Sequence, residues 1–214
     1  MGQRIGIFGG SFDPVHVGHL IIAEQFREGM RLDQVRFIPT KVSPFKQEQL
    51  PTTDKQRLEM LRLAIGAHPG FAIDESEIRR GGVSYSIETI RELQTQISEA
   101  EWFLLIGADS LTDFAKWKEP SELLDRVHLV VVRRGGHGEI AWDALKGLTT
   151  PANIARIRST AIDVPAMEIA SRDIRQRVQH GRSIRYLVPA SVEAYIREHK
   201  LWQSPESVQP ATLT

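Results

Sequence analysis

Two histidines, His16 and His19, sit three residues apart just after a glycine turn in the stretch Gly6-Ile7-Phe8-Gly9-Gly10-Ser11-Phe12-Asp13-Pro14-Val15-His16-Val17-Gly18-His19. The apolar run Arg4 to Phe8 before the turn reads as a buried strand. Leu20, Ile21, Ala23 and Phe26 follow at helical spacing, so the segment Gly18 to Met30 reads as a helix. At such a junction glycines let the main chain approach a phosphate closely, and unpaired N–H groups at the helix start favour negative charge. Both imidazoles can reach a common point there, and each can donate a hydrogen bond to a phosphoryl oxygen, neutral or charged. The glycines lack the GxGxxG spacing of a dinucleotide fingerprint, and no GK[ST] follows to make a Walker loop. A histidine pair can bind metal, but no third ligand of suitable type lies nearby and the chain has no cysteine. Taken alone, two satisfied surface histidines after a tight turn would account for the same residues.

The elements able to position this junction alternate along the chain. Val35 to Pro39 reads as a second strand. Thr53 with Gln56 forms a capping box ahead of a helix whose Leu58, Leu61 and Ile65 share a face. Phe71 to Ile73 is a weaker strand. Ile87, Ile90, Leu93 and Ile97 mark an amphipathic helix starting near Ser86. Trp102 to Ile106 and His128 to Val132 are short and almost wholly apolar, as parallel strands covered on both faces must be. Residues 134–158 carry little signal, with Gly135, Gly136 and Gly138 expected in a loop. Ser171 to Gln179 reads as a helix, and Pro189 is expected to open a last helix through Lys200. This alternation predicts an α/β fold: a Rossmann-like, doubly wound parallel sheet with helices on both faces and a small C-terminal helical part. The expected organisation is one domain over 1–202, with a core to about 165 and the helical part from about 166. A disordered tail is expected over 203–214, where prolines are frequent and apolar residues few.

Bulk composition narrows the function classes. The 214 residues include 27 Lys and Arg against 27 Asp and Glu, so no global basic field favours nucleic acid. An anionic ligand must therefore be held by a local cluster. The absence of cysteine excludes disulfides, thiolate zinc sites and a cysteine nucleophile. No run of eighteen uncharged apolar residues is present, so no membrane span is expected, and the N-terminus lacks a signal-peptide pattern. The expected compartment is the cytoplasm.

The string GGSFDPVHVGH resembles the signature of nucleotidylyltransferases that carry an HxGH variant of the HIGH motif, and most closely that of the bacterial nicotinate-nucleotide adenylyltransferases. The resemblance implies that His16 and His19 stabilise charge at the ATP α-phosphate and that Gly9, Gly10, Ser11 and Phe12 form a backbone cradle. Pro44-Phe45-Lys46 stands where the family usually has Pro-Pro-His-Lys or Pro-Pro-His-Arg. Ser43 and Phe45 depart from that pattern, while Lys46 keeps a cation that could reach the triphosphate. Ser84-Tyr85-Ser86 looks like the family's Ser-Tyr-Thr segment, which receives the pyridine carboxylate at a helix start. Capping by Ser86 would explain the same residues.

Gly107-Ala108-Asp109-Ser110-Leu111 with Trp117 resembles the family's GxDSL…F..W run, which implies Asp109 near the ATP ribose and Trp117 under the pyridine. Stacking an electron-poor ring on an indole contributes on the order of 1 kcal/mol beyond burial. Lys118 replaces an aromatic residue of some relatives. Ile169-Ala170-Ser171-Arg172-Asp173-Ile174-Arg175 is similar to the family's ISSTxIR motif, with Ala170 and Arg172 as departures, and implies that Ser171 and Arg175 clamp the leaving pyrophosphate. The likeness runs from Gly6 to about Trp202.

The function it implies is adenylyl transfer from ATP to nicotinate mononucleotide, giving deamido-NAD and pyrophosphate, with Mg²⁺ accompanying ATP. The alternatives are nicotinamide mononucleotide or phosphopantetheine as acceptor, or a non-catalytic nucleotide-binding module. No nucleic-acid or membrane partner is expected, and a homo-oligomer is compatible with the sequence.

Overall fold

The computed structural model describes residues 2–44, 52–66, 68–135 and 139–203. Lys46, Phe45, the glycines 136 and 138 and the expected tail beyond 203 lie outside these. Among the described residues, six strands form one sheet: β1 (Arg4–Gly10), β2 (Gln34–Pro39), β3 (Phe71–Ile73), β4 (Glu101–Gly107), β5 (His128–Arg134) and β6 (Ile162–Val164). Their order is β3-β2-β1-β4-β5-β6, and every pairing is parallel. The connecting helices are α1 (Val17–Gly29), α2 (Asp54–Ile65), α3 (Ser76–Arg80), α4 (Ser86–Gln96), α5 (Ala108–Thr112), α6 (Pro120–Arg126), α7 (Pro151–Ser159), α8 (Ser171–Gln179) and α9 (Ala190–Glu198).

The apolar runs of β4 and β5 have the two-sided burial that a central parallel strand requires. Phe103 and Leu105, with Val130 and Val132, join a core that also holds Phe26 of α1, Leu61 of α2, Ile174 of α8 and Ile196 of α9. Trp102, Leu104 and Ile106, with Leu129 and Val131, face the opposite core, shared with Ile90 of α4, Leu123 of α6 and Ile157 of α7. Successive residues of one strand thus serve two cores, as a period of two dictates.

Several boundaries differ from the sequence expectation. The α9 helix starts at Ala190 with Pro189 as its N-cap, and ends at Glu198 rather than Lys200. Ser86 does not cap α4: the N-cap is Tyr85, which makes no side-chain capping bond, and Ile97 lies past the helix end. The sequence expectation holds no strand at β6 and no helix at α3 or α7, whereas α6 falls in the helical sequence expected between β4 and β5. The short β6 and α3 offer too few residues for a period to show, and α7 buries only Ile157 fully, so it carries little apolar pattern.

The strand order reverses direction between β1 and β4. In an open parallel sheet the crevice beyond the carboxyl ends of such a pair is the place where a ligand fits, because the loops leaving the two strands turn to opposite faces. Gly9-Gly10 ends β1 and Gly107 ends β4, so both glycine turns open on that crevice.

Candidate active site

The turn after β1 is held from beneath by side chains. Arg57 of α2 is wholly buried and donates from Nη1 to the Ser11 carbonyl at 2.8 Å. Arg175 of α8 donates from Nη1 to the Asp13 carbonyl at 2.6 Å, and the Ser171 hydroxyl donates to the Pro14 carbonyl at 2.9 Å. Three carbonyls of the turn are therefore drawn into the protein. Phe12 keeps a left-handed backbone (φ 48°) with its ring fully buried beside Phe8, Phe37 and His19. A non-glycine residue in that conformation costs of order 1 kcal/mol or more, and here the burial of a large ring offsets it. Gly9 is exposed, and a Cβ built on it would meet nothing within 4 Å, so the absent side chain leaves open room at the strand end.

His16 and His19 form a reciprocal cap at the start of α1. The His19 backbone N–H donates to His16 Nδ1 at 3.3 Å, and the His16 backbone N–H donates to His19 Nδ1 at 3.2 Å. The rings stack with centroids 3.6 Å apart. Because each Nδ1 accepts, each neutral ring carries its proton on Nε2, a tautomer assigned from the bonding pattern. Two N–H donors thus lie one ring-stack apart, a spacing that a phosphoryl group can bridge. A Cβ on Gly18 would come within 3.1 Å of His16 Nδ1, which is why a glycine stands between the histidines.

Asp13, fully buried behind the turn, accepts from the Thr52 hydroxyl through Oδ1, while its Oδ2 has no hydrogen-bond partner among the described residues. Burial pushes the Asp13 carboxyl above its ordinary range, against the Thr52 hydroxyl and the charges of Arg175 and Arg57. Asp54 accepts from Arg57 and from Lys41. Its partial burial opposes ionisation, but the two cations outweigh it and hold the carboxyl below its usual range.

A second group lies on the same rim. The Gly10 carbonyl accepts from the Thr40 N–H, and two residues on, the Val42 carbonyl accepts from the Ser84 N–H at 2.8 Å. Ser84 Oγ accepts from the Lys41 N–H at 3.0 Å, and the same hydroxyl bonds the Glu77 carboxyl. The Ser84 hydroxyl is thus spent within the protein. Glu77 is buried, accepts from Thr89 at 2.8 Å, and has its carboxyl raised by burial against the Ser84 and Thr89 hydroxyls and the Arg80 charge. Lys118 stands 4.6 Å over the Tyr85 ring and pairs with Glu88 at 2.6 Å, which brings the Trp117 turn against the start of α4. Trp117 is half-buried with its ring centroid 5.1 Å from that of Phe114. Asp109 is exposed in the first turn of α5, beyond the end of β4.

The structure therefore joins the turn that carries Gly9, Gly10, Ser11, Phe12, His16 and His19 to Ser171 and Arg175 through the Pro14 and Asp13 carbonyls. Ser171 and Arg175 point at the turn's carbonyls, not at an open crevice. Sequence reasoning missed Asp13, Thr52, Arg57, Lys41 and Glu77. The signal available for Arg57 was its place beside Leu58 and Leu61 on the inward face of an amphipathic helix, where a cation has no business without a partner. Among the described residues no group of three His, Cys, Asp or Glu side chains could hold a metal, and no helix is long and apolar enough to cross a membrane.

A parallel sheet with an anion-accepting turn and paired imidazoles at its switch point defines a nucleotidyltransferase of the Rossmann-like class. The match of residues 7–177 to the model of the cytidylyltransferase-like family agrees. A protein of Rhodopirellula baltica named "Probable nicotinate-nucleotide adenylyltransferase" is 44% identical over 93% of this chain and 93% of its own. One of the same name from a Synechococcus species is 42% identical over 95% of this chain and 96% of its own. The chain belongs to the cytidylyltransferase-like family and, within it, to the nicotinate-nucleotide adenylyltransferases. In fold it is similar to the nicotinic acid mononucleotide adenylyltransferase of Plasmodium falciparum solved with NaAD, at a TM-score of 0.69 and 15% identity, covering 94% of this chain and 97% of that one.

Proposed function

We propose that this protein transfers the adenylyl group of ATP to nicotinate mononucleotide, releasing pyrophosphate and forming deamido-NAD. The observation that carries the reading is the reciprocal histidine cap, which stacks the His16 and His19 rings 3.6 Å apart at the start of α1, just past the turn after β1. In the reaction, a phosphate oxygen of the mononucleotide attacks the α-phosphorus in line, and the bond from that phosphorus to the α,β-bridging oxygen breaks, so that pyrophosphate departs. Both reactants arrive with their own nucleophile or leaving group, so positioning and charge neutralisation supply the rate enhancement.

His16 and His19 donate to the α-phosphoryl oxygens as charge grows there. Gly9, Gly10, Ser11 and Phe12 present main chain to the triphosphate. Arg175 and Ser171 hold in shape, through the Asp13 and Pro14 carbonyls, the turn that meets the departing pyrophosphate. Lys46 and Gly107 complete the ATP side, with Asp109 at the ribose. Tyr85 and Ser86 at the start of α4 receive the pyridine carboxylate, Ser84 orients them, and Trp117 supplies the stacking face. Mg²⁺ would arrive with ATP, held mainly by the phosphates and water and not by a protein cage, and would neutralise phosphate charge.

The deciding experiment incubates the protein with ATP, Mg²⁺ and, separately, nicotinate mononucleotide, nicotinamide mononucleotide and phosphopantetheine, and identifies each product by mass. Deamido-NAD with stoichiometric pyrophosphate is expected. Exclusive use of another acceptor, or no pyrophosphate release with any, overturns the reading.

A further inference from the structure

We infer that Arg57 is a positioning residue that places an unbalanced buried positive charge one peptide unit beneath the turn after β1, where it attracts the triphosphate without touching it. The inference rests on the proposed binding of ATP at that turn, but not on the identity of the acceptor.

Arg57 is among the largest fully buried side chains of the protein, with no exposure at all. A guanidinium cannot shed its proton in a protein, so its charge is permanent wherever it is buried. Taking such a charge out of water costs several kcal/mol unless a partner compensates. Its Nη2 donates to Asp54 Oδ1 at 2.6 Å, but Asp54 also binds Lys41 through Oδ2, so one carboxylate serves two cations. Its Nε is buried with no hydrogen-bond partner among the described residues. Its Nη1 ends on the Ser11 carbonyl, and only the Ser11 peptide stands between that nitrogen and the crevice floor.

The same turn is gripped by Arg175 at the Asp13 carbonyl, and Asp13 is the second carboxylate of the cluster. Among the described residues in contact here, three cations (Lys41, Arg57, Arg175) thus face two carboxylates (Asp13, Asp54). Burial disfavours the charged form of Asp13, which widens the imbalance. A neutral amide would hold the Ser11 carbonyl at far lower desolvation cost. An incompletely paired guanidinium is explained when an anion arrives above it and completes the balance.

The charge claim separates from a plain peg role by two variants. Arg57→Lys keeps the charge, and Arg57→Gln keeps a donor of reduced reach without it. Binding is measured by calorimetry with inorganic tripolyphosphate at several salt concentrations, beside KM for ATP and for nicotinate mononucleotide. We expect Arg57→Gln to weaken tripolyphosphate and raise the ATP KM by about tenfold or more, the effect of one charge at an intermediate dielectric. Its salt dependence should flatten, the KM for the mononucleotide should hold within about twofold, and Arg57→Lys should recover most of the loss. Equal losses in both variants, or unchanged tripolyphosphate affinity in folded Arg57→Gln, overturn the inference. Should neither variant fold, Asp54→Asn removes the shared counter-ion instead. It should tighten tripolyphosphate, and unchanged or weaker binding overturns the inference. If the wild type binds tripolyphosphate with this pattern but adenylylates no pyridine nucleotide, the proposed function fails while this inference stands.

Discussion

At the scale of single residues, the site is built from groups whose hydrogen-bonding capacity is divided between fold and ligand. His19 uses Nδ1 to cap α1 and keeps its proton on Nε2. Replacing it with alanine therefore removes two things of different size. The lost cap costs about 1 kcal/mol of stability. The lost donor to the α-phosphate should lower kcat by about a hundredfold or more, as removal of one charge-stabilising donor does elsewhere. Steady-state kinetics beside urea unfolding separates the two, and comparable collapse of both would mark His19 as a core residue. Glu77 shows the opposite division, with all its capacity turned inward to Ser84 and Thr89. Its carboxyl is raised in the folded protein, so the fold binds its proton more tightly than the unfolded chain does. The destabilising effect of the buried charge is then fully present above the folded pKa and vanishes below the unfolded one, near 4.5. Glu77→Gln should consequently gain stability relative to wild type as pH rises from 5 to 8, measured by urea unfolding at each pH. A difference that shrinks over that range would contradict the assignment.

At the scale of elements, the end of β1 decides what the crevice can admit. Gly9 has open space where a Cβ would stand, and its backbone is extended, not left-handed. Conformation therefore does not require a glycine here, and in the proposed ATP site its absent side chain serves the ligand's approach. Gly9→Ala should leave thermal stability unchanged or raise it by about 0.5 kcal/mol through a stiffer unfolded chain. The same methyl should raise the ATP KM by about tenfold, since small displacements of bound phosphate are costly. Scanning calorimetry with kinetics tests the pair, and a large loss of stability would show a conformational need instead. Helices α2 and α8 act on the same turn, through Arg57 and through Ser171 and Arg175. The cradle's shape is thus a property of three elements, although its sequence lies in one loop.

At the scale of the whole molecule, the sheet supplies rigidity and the crevice carries charge out of balance. A ligand that supplies the missing anion must stabilise the fold by mass action. ATP at a hundredfold its dissociation constant should add about 2.7 kcal/mol, a rise in Tm of roughly 5 to 10 °C for a chain of this size. Differential scanning fluorimetry with ATP and with adenosine distinguishes phosphate from base. An equal shift with adenosine would move the binding energy away from the turn.

The sequence by itself determined the central strands of the sheet and the glycine–histidine junction. Strand and helix periods are local, and β4 and β5 are so apolar that only a covered central strand suits them. The motif from Gly6 to His19 is contiguous, so its residue types could be read without a fold. Tertiary structure alone decided which side chains hold that motif in shape. Arg57 and Asp13 lie 44 residues apart in sequence and meet only because β2 pairs beside β1 and α2 packs back over it. Ser171 and Arg175 turned out to grip the turn's carbonyls, and Ser84 to spend its hydroxyl on Glu77 and Lys41, because a polar group brought into the interior must find a partner wherever the chain happens to offer one.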